Sequence, residues 1–407
     1  MMRTDTVIIG AGQAGLALSL ELRAAGHEHV VLERGRVGER WRSERWDSLH
    51  LLTPNWLNQL PGTAPLPDPH GYLDRRGVVG YLEAYAAGAP VRERTTVSRV
   101  RRAGRGFHIE TDRGHWQAAN VVIATGDCDV PRLPTAAAGA PASVHSLHAA
   151  HYRRPDQLPP GAVLVVGAGP SGQQLAGELR AAGRAVTLAV GRHTRMPRRY
   201  RGRDVFDWLH ATGRLTTPAG AVPDLEAARR APGFPVSGSG ETLGLDRLAA
   251  QGVVVTGRLE GFAGRYALFG SHLQHELREA DRRQRRVLAD IDAHIAQTGA
   301  AAEPEPWPAP VMLARGPERL DLGAVGTVLW ATGYTRAYPW LEVPVLDHCG
   351  QLVHREGVTA APGLYALGLR FQRTRRSHLL GGVGEDAEFI AGRILAGAPT
   401  ERLARPA

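Results

Sequence analysis

Short apolar runs precede leucine-spaced stretches at two places in this chain. The runs are residues 6–9 (TVII) and 162–166 (AVLVV), and both have the length and composition of buried parallel strands. Each is followed by a glycine-rich turn and then by leucines at helical spacing, up to Gly26 or Gly183, where a helix would end. Another apolar run follows at once in both copies. The pattern therefore predicts strand, turn, helix and strand, twice over.

The two turns belong to a gapless repeat. GAGQAGLALSLELRAAG at residues 10–26 returns as GAGPSGQQLAGELRAAG at residues 167–183. In such a unit the first glycine permits the turn, the second admits a pyrophosphate, and the third packs helix on strand. We therefore predict an α/β chain with two Rossmann-like dinucleotide-binding domains. The predicted nucleotide contacts are Gly10, Gly12, Gln13, Ala14 and Gly15 in one copy and Gly167, Gly169, Pro170, Ser171 and Gly172 in the other.

The copies differ where the second strand ends, which is the position that selects the ligand. The first copy has Glu33, followed by Arg34, and a carboxylate there accepts hydrogen bonds from a ribose hydroxyl. The second copy has Val190 at the matching position and Arg192 two residues later. A guanidinium there would hold a 2'-phosphate. We therefore expect a nucleotide with a free ribose in the first copy and NADPH in the second.

Composition narrows the class of protein. The chain has 407 residues with 43% hydrophobic content, enough for two or three domains with real cores. It has no run of 18 apolar residues, and its first predicted strand begins at about residue 5, so we expect a cytoplasmic protein without a signal peptide or membrane contact. Its net charge is +9, but the basic residues are all arginines in scattered runs, so we expect no nucleic-acid partner.

Two further apolar strands, at residues 121–123 and 327–330, both lead into Ala-Thr-Gly. With these, the chain resembles the class B flavin-dependent monooxygenases, the superfamily of the FMO, YUCCA and CzcO-like flavoproteins. The resemblance covers nearly the whole chain, and its motifs are GAGQAG with Glu33, GERW at residues 38–41, WDSLHLLTPN at residues 46–55, both Ala-Thr-Gly strands, GAGPSG, and GLYALG at residues 363–368.

The resemblance implies an FAD-binding domain formed by residues 1–157 and 310–407, with an NADPH-binding domain, residues 158–309, inserted in it. It implies FAD and NADPH as cofactors, and insertion of one oxygen atom from O2 into a small organic substrate by way of a C4a-peroxyflavin. Further cofactor contacts are expected at Arg34, Trp41, Thr125 and Gly126 for FAD, and at Ala331, Thr332 and Gly333 for NADPH. The asparagine that FMO-type enzymes place near the flavin aligns with Leu52, and Asn55, three residues later, is the candidate catalytic residue.

The family fingerprint is altered here, which keeps other functions open. Aligned on His148 and Tyr152, the chain has Ala142 and Val144 where Phe and Gly are usual. One alternative is an NADPH-dependent flavin oxidase or reductase without oxygen insertion, and another is a flavin- and NADPH-binding sensor without turnover. We predict no metal site, since the histidines at residues 145, 148 and 151 would not share one helical face. A homo-oligomer is left open.

Overall fold

The computed structural model describes residues 1–231 and 233–397, which form a mixed α/β chain. The helices are α1 Gln13–Ala24, α2 Glu39–Ser43, α3 Arg75–Tyr85, α4 Pro170–Ala181, α5 Val205–Ala211, α6 Leu225–Arg229, α7 Leu245–Ala250, α8 Leu273–Thr298 and α9 Gly384–Leu395. The first strands are β1 Met2–Ile9, β2 His29–Leu32, β3 Val91–Arg92, β4 Val97–Ala103, β5 Gly106–Thr111, β6 Gly114–Ile123, β7 Val130–Pro131, β8 His145–His148, β9 Ala162–Val166 and β10 Val186–Ala189. The remaining strands are β11 Arg199–Tyr200, β12 Arg203–Asp204, β13 Val254–Thr256, β14 Leu259–Ala263, β15 Tyr266–Phe269, β16 Arg319–Asp321, β17 Val325–Trp330, β18 Tyr334–Thr335, β19 His354–Arg355, β20 Val358–Thr359 and β21 Leu364–Ala366.

The first glycine turn belongs to a sheet with the order β19-β20-β21-β6-β1-β2-β3, to which β4 and β5 add a hairpin beside β6. Strand β1 runs parallel to both of its neighbours, with Ile8 opposite Val31 on one side and Val122 on the other. These central residues are fully buried because helices and loops cover both faces. The carboxyl ends of β1, β2 and β6 therefore meet at one edge, where a ligand can approach all three.

The second glycine turn belongs to a parallel sheet with the order β13-β10-β9-β17-β8. The predicted α/β architecture with two Rossmann-like units is thus confirmed. Strands β8 and β17 of this sheet lie outside the segment 158–309, and the domain boundaries stay a prediction. Proline-rich segments mark loops, but β8 and β17 gain their partners only through long-range pairing.

The chain passes between the two sheets through a short antiparallel pair. Strand β7 pairs with β18, Tyr334 lying opposite Pro131, and the Arg132 N–H donates to the carbonyl of Gly333 at 3.0 Å. The two connecting segments therefore stabilise each other, directly beside the second Ala-Thr-Gly turn.

Separate apolar cores stabilise the two units. Helix α9 packs on α1 in the first core, through residues such as Ile390 and Leu18, and α4 packs over β9 and β10 in the second. Helix α8 buries Leu277, Leu288 and Ile291 on one face. Among the described residues, no helix combines the length and the apolar content needed to cross a bilayer.

Candidate cofactor sites

The first and third glycines of both turns are required by close backbone contacts. A Cβ on Gly10 would lie 2.6 Å from the carbonyl oxygen of Ala124, and a Cβ on Gly167 the same distance from that of Ala331. Both glycines also have φ near +110°. The third glycines, Gly15 and Gly172, would place a Cβ 2.0 and 1.8 Å from the carbonyl oxygens of Gly10 and Gly167. Both Rossmann turns thus have the same geometry, and in both the first glycine packs against the residue that follows the neighbouring parallel strand.

The second glycines are different, because nothing in the protein occupies the space beside them. A Cβ on Gly12 or on Gly169 would meet no atom within 4 Å. Each is the N-terminal cap of its helix, in extended conformation and without a side-chain capping bond. The unpaired N–H groups in the first turns of α1 and α4, which in α4 begin at Ser171 because Pro170 has no N–H, therefore lie beside open space at the positive end of the helix dipole. A pyrophosphate fits this arrangement at both turns.

Glu33 follows β2 and holds the first turn in place. Its Oε2 accepts from the N–H of Ala11 at 2.8 Å, and its Oε1 accepts from the N–H of Gly35 at 2.9 Å. A carboxylate offers about four acceptor positions, so a position remains on each oxygen for the hydroxyls of a ribose. The carboxylate thus fits the role that the sequence predicts for it.

Removing this carboxylate should deplete the protein of flavin. We expect Glu33→Ala to purify with under about a tenth of the wild-type flavin, since hydrogen bonds to a charged group contribute about 1.5–3 kcal/mol each. Flavin content is read from the visible absorbance of the purified protein. Glu28→Ala is the matched control, because Glu28 is exposed and lies outside the motifs quoted above. Full flavin occupancy in Glu33→Ala would remove the predicted role.

The loop after β10 carries positive charge, where the loop after β2 carries the carboxylate of Glu33. Val190 is fully buried and its N–H donates to the carbonyl of Thr256, whereas Arg192 is exposed. Arg283 of α8 donates to the carbonyl of His193 at 2.8 Å, and the charge of Arg192 contributes to lowering the pKa of Arg283, after burial. Arg283 was missed by sequence reasoning because it comes from a distant helix. The two guanidiniums fit a phosphate better than a hydroxyl.

His148 fixes the second Ala-Thr-Gly turn. Its Nδ1 accepts from the N–H of Ala150 at 3.1 Å, so its Nε2 carries the proton and donates to the carbonyl of Gly333 at 3.1 Å. Burial lowers the pKa of His148 to about 4, with a smaller contribution from His151 that acts in the same direction. The ring also stacks edge-on against Tyr334. A neutral histidine therefore holds the backbone at Gly333.

The depressed pKa of His148 predicts a pH dependence of stability. His148 takes up a proton near pH 4 in the folded protein. In the unfolded chain it takes up a proton near its ordinary pKa of 6.5. The stabilisation is therefore complete above pH 6.5 and is lost as the pH falls towards 4, by about 3 kcal/mol. We expect urea unfolding at pH 4.5, 6 and 8 to show a shallower pH dependence for His148→Gln than for the wild type. Identical slopes for both proteins would contradict this assignment.

Trp41, on helix α2, and Arg34, in the loop after β2, lie beside the first site. The Trp41 ring contributes to both apolar cores and has the Arg45 guanidinium 5.5 Å from its centroid. Arg34, half-exposed, lies 3.6 Å from Glu44 and 3.8 Å from Asp129. Asp129 follows the turn formed by Thr125 and Gly126, whose φ is +77°. These predicted contacts surround the same edge of the first sheet.

Buried polar atoms that have no hydrogen-bond partner are concentrated in the segment 370–386. This segment follows Gly368, which packs against Ala14, and the Gln13 side chain donates to the His378 carbonyl at 3.4 Å. Polar atoms in protein interiors nearly always have a partner, so the segment fits around a polar ligand such as a flavin ring. Within the described chain the atoms are Arg370 Nε, Arg373 Nε, Thr374 Oγ1, Arg375 Nε, Arg376 Nε, His378 Nδ1 and Asp386 Oδ2.

Asn55, the candidate catalytic residue, has its side chain bonded within the protein. Its Nδ2 donates to the carbonyls of Pro67 and Asp68, both at 3.0 Å, and its Oδ1 accepts from the N–H of Leu73 at 3.1 Å. The side chain is buried and braces the loop 67–73. The catalytic role stays a prediction. In this structure the hydrogen bonds of the Asn55 side-chain amide all hold the surrounding backbone.

Comparison with known proteins places this arrangement in a family. Residues 7–210 match the family described as pyridine nucleotide-disulphide oxidoreductase. The chain is 32% identical over 402 residues, 96% of its length and 98% of the relative's, to an uncharacterized CzcO-like oxidoreductase of Geobacillus kaustophilus (strain HTA426). It is 33% identical over 191 residues, 45% of its length and 47% of the relative's, to the indole-3-pyruvate monooxygenase YUCCA1 of Oryza sativa subsp. japonica.

Among solved structures, a flavin-containing monooxygenase from Stenotrophomonas maltophilia superimposes with a TM-score of 0.68. The superposition covers 97% of this chain and 99% of that one, at 22% identity, and thus shows a shared fold. The predicted relationship is confirmed by these matches, which also indicate a flavin and a nicotinamide nucleotide as cofactors. The chain therefore belongs to the pyridine nucleotide-disulphide oxidoreductase family and is a flavin-dependent oxidoreductase of the class B flavin monooxygenase type.

Proposed function

We propose that the protein is an FAD- and NADPH-dependent monooxygenase that inserts one oxygen atom from O2 into a small organic substrate. The observation that carries this proposal is the pair of matched turns with opposite charges beside them. The carboxylate of Glu33 adjoins the turn at Gly12, and the guanidinium of Arg192 follows the strand beside the turn at Gly169. One turn suits a nucleotide with a free ribose, and the other suits a 2'-phosphate.

Each part of the protein then has a defined task. Gly12 and Gly169 leave room for the pyrophosphates, whose charge the free N–H groups of α1 and α4 neutralise. Arg192 and Arg283 bind the 2'-phosphate, and His148 keeps the carbonyl of Gly333 oriented beside the nicotinamide nucleotide. The segment 370–386 supplies polar partners on the flavin side. The flavin, when bound, accepts hydride from NADPH and delivers electrons to O2.

The two cysteines argue against a redox-active disulphide within the protein itself. A redox-active dithiol needs two thiols whose sulfurs can bond. Here Cys128 is half-buried, Cys349 is exposed, and both are free. The electrons of the reduced cofactor therefore go to an acceptor outside the protein, for which we propose O2.

The experiment that tests the proposal measures where the oxygen goes. The flavin-loaded protein is incubated with NADPH and ¹⁸O2 in the presence of sulfides, amines, ketones and indole-3-pyruvate, the last because of the rice relative. The proposal predicts a product with one ¹⁸O atom and NADPH consumption that rises when that substrate is added. Stoichiometric hydrogen peroxide with every compound would support the oxidase alternative, and a flavin that NADPH does not reduce would support the sensor.

A further inference from the structure

A cluster of two histidines and a glutamate lies on the hairpin formed by β5 and β6, away from both glycine turns in the fold. Phe107 and Ile109 of β5 point into the core and are almost fully buried, so the alternating residues His108 and Glu110 point to the opposite face. Glu110 lies directly across from His115 on β6. The three side chains therefore share one face of a paired, regular segment.

The hairpin turn keeps the two strands in this register. Thr111 pairs with Gly114, whose φ is +114°, so that Asp112 and Arg113 form a two-residue loop. The Thr111 hydroxyl donates to the Gly114 carbonyl at 2.7 Å and accepts from the N–H of Arg113 at 3.1 Å. The paired backbone thus fixes the face of the hairpin on which the three side chains lie.

The ligand atoms are close together, and one of them has no partner. One nitrogen or oxygen atom of each side chain lies within 4.8 Å of those of the other two. The His108 Nδ1 is buried without a hydrogen bond and lies 3.6 Å from the Glu110 Oε1. The rings of His108 and His115 are stacked at 5.4 Å between centroids, with 20° between their planes. Polar atoms buried in this way normally have a partner.

We propose that His108, Glu110 and His115 bind one divalent transition-metal ion, with Zn²⁺ as the reference ion. At zinc bond lengths of about 2.0–2.2 Å, two ligands of a tetrahedral site lie about 3.3–3.5 Å apart. The 3.6 Å between His108 Nδ1 and Glu110 Oε1 is close to this spacing. Two imidazoles and a carboxylate form a donor set that such ions favour, and water can take the fourth position. His115 is exposed, so the ion can enter from solvent.

The neighbouring charges set the affinity of this site. Arg101 Nε lies 3.8 Å from the Glu110 Oε1 and competes with a cation for that oxygen, and Arg99 lies 3.7 Å from Oε2. Arg99 also pairs with Glu342 at 2.9 Å, so the two arginines and two glutamates balance in charge. Because the Arg101 side chain is half-exposed, it can turn to solvent when an ion binds. Removing Arg101 should therefore strengthen metal binding.

The test is a calorimetric titration of the flavin-loaded protein with Zn²⁺. The proposal predicts one site per chain, at least about tenfold weaker in His115→Ala and Glu110→Gln, because each change removes one of three ligands. His145→Ala, which removes an exposed histidine from β8, should bind like the wild type. Arg101→Ala should bind more tightly, a gain that damage to the fold cannot produce. Equal Zn²⁺ affinity in wild type, His115→Ala and Glu110→Gln would overturn the proposal.

Discussion

Gly169→Ala should fold like the wild type and retain its flavin, yet bind NADPH and NADH at least about 10- to 100-fold more weakly. The added methyl group meets no protein atom within 4 Å, and the extended backbone at Gly169 suits alanine. The methyl instead enters the space that the pyrophosphate requires, and an overpacked contact costs about 1–3 kcal/mol. Binding is measured by anaerobic titration of the flavin spectrum, and folding by thermal unfolding.

Two sister variants separate the nucleotide sites from the fold. Gly12→Ala, the same change in the other turn, should yield folded protein that has lost its flavin. Gly172→Ala should fail to fold, because its Cβ would lie 1.8 Å from the Gly167 carbonyl oxygen. Normal NADPH binding by Gly169→Ala would mean that the nucleotide does not lie over this turn.

Arg192→Ala should distinguish the two nicotinamide nucleotides. A hydrogen bond between charged groups contributes about 1.5–3 kcal/mol, so the variant should bind NADPH about 10- to 100-fold more weakly. NADH lacks the 2'-phosphate and should bind almost unchanged. The measurement is the same anaerobic titration, performed with both nucleotides.

The exposed Arg199, seven residues further along the chain, provides a matched control for loss of one positive charge. Arg199→Ala should leave both nucleotide affinities near those of the wild type. If Arg192→Ala weakens NADPH and NADH equally, Arg192 has no part in recognising the 2'-phosphate, and Arg283 becomes the remaining candidate.

Local sequence predicts the turns well because their requirements are local. Gly10, Gly15, Gly167 and Gly172 are needed by contacts within one strand, turn and helix, or with the next parallel strand, and the repeat displays that unit twice. The family and the two-sheet architecture could be predicted for the same reason.

Features formed by distant segments could not be predicted from local patterns. Strands β8 and β17 join the second sheet by long-range pairing, which the composition of the proline-rich linkers does not reveal. Arg283 reaches the loop after β10 from a helix about ninety residues away. Asn55 matched a family position approximately, but its bonds to the loop 67–73 become visible only in the fold.

The prediction of no metal site rested on the histidines at residues 145, 148 and 151, whereas the metal site proposed above lies on the hairpin of β5 and β6. In the structure, His145 and His148 lie on a strand, and His148 is bonded to backbone at both ring nitrogens. The two histidines of the hairpin are seven positions apart, a spacing that indicates a shared site only when the intervening turn is recognised. The sequence does carry one signal of this cluster. His108 and Glu110 occupy alternate positions of a strand that ends at a turn-forming segment, Asp112-Arg113-Gly114.

The measurement that tests the central claim most directly is anaerobic mixing of the flavin-loaded protein with NADPH while the flavin spectrum is recorded. The account predicts that the oxidised flavin is bleached by one equivalent of NADPH, that Gly169→Ala needs a much higher NADPH concentration, and that Arg192→Ala loses the preference for NADPH over NADH. A flavin that stays oxidised, or one that is reduced equally well in Gly169→Ala, would contradict the claim that the two turns bind an electron donor and its acceptor.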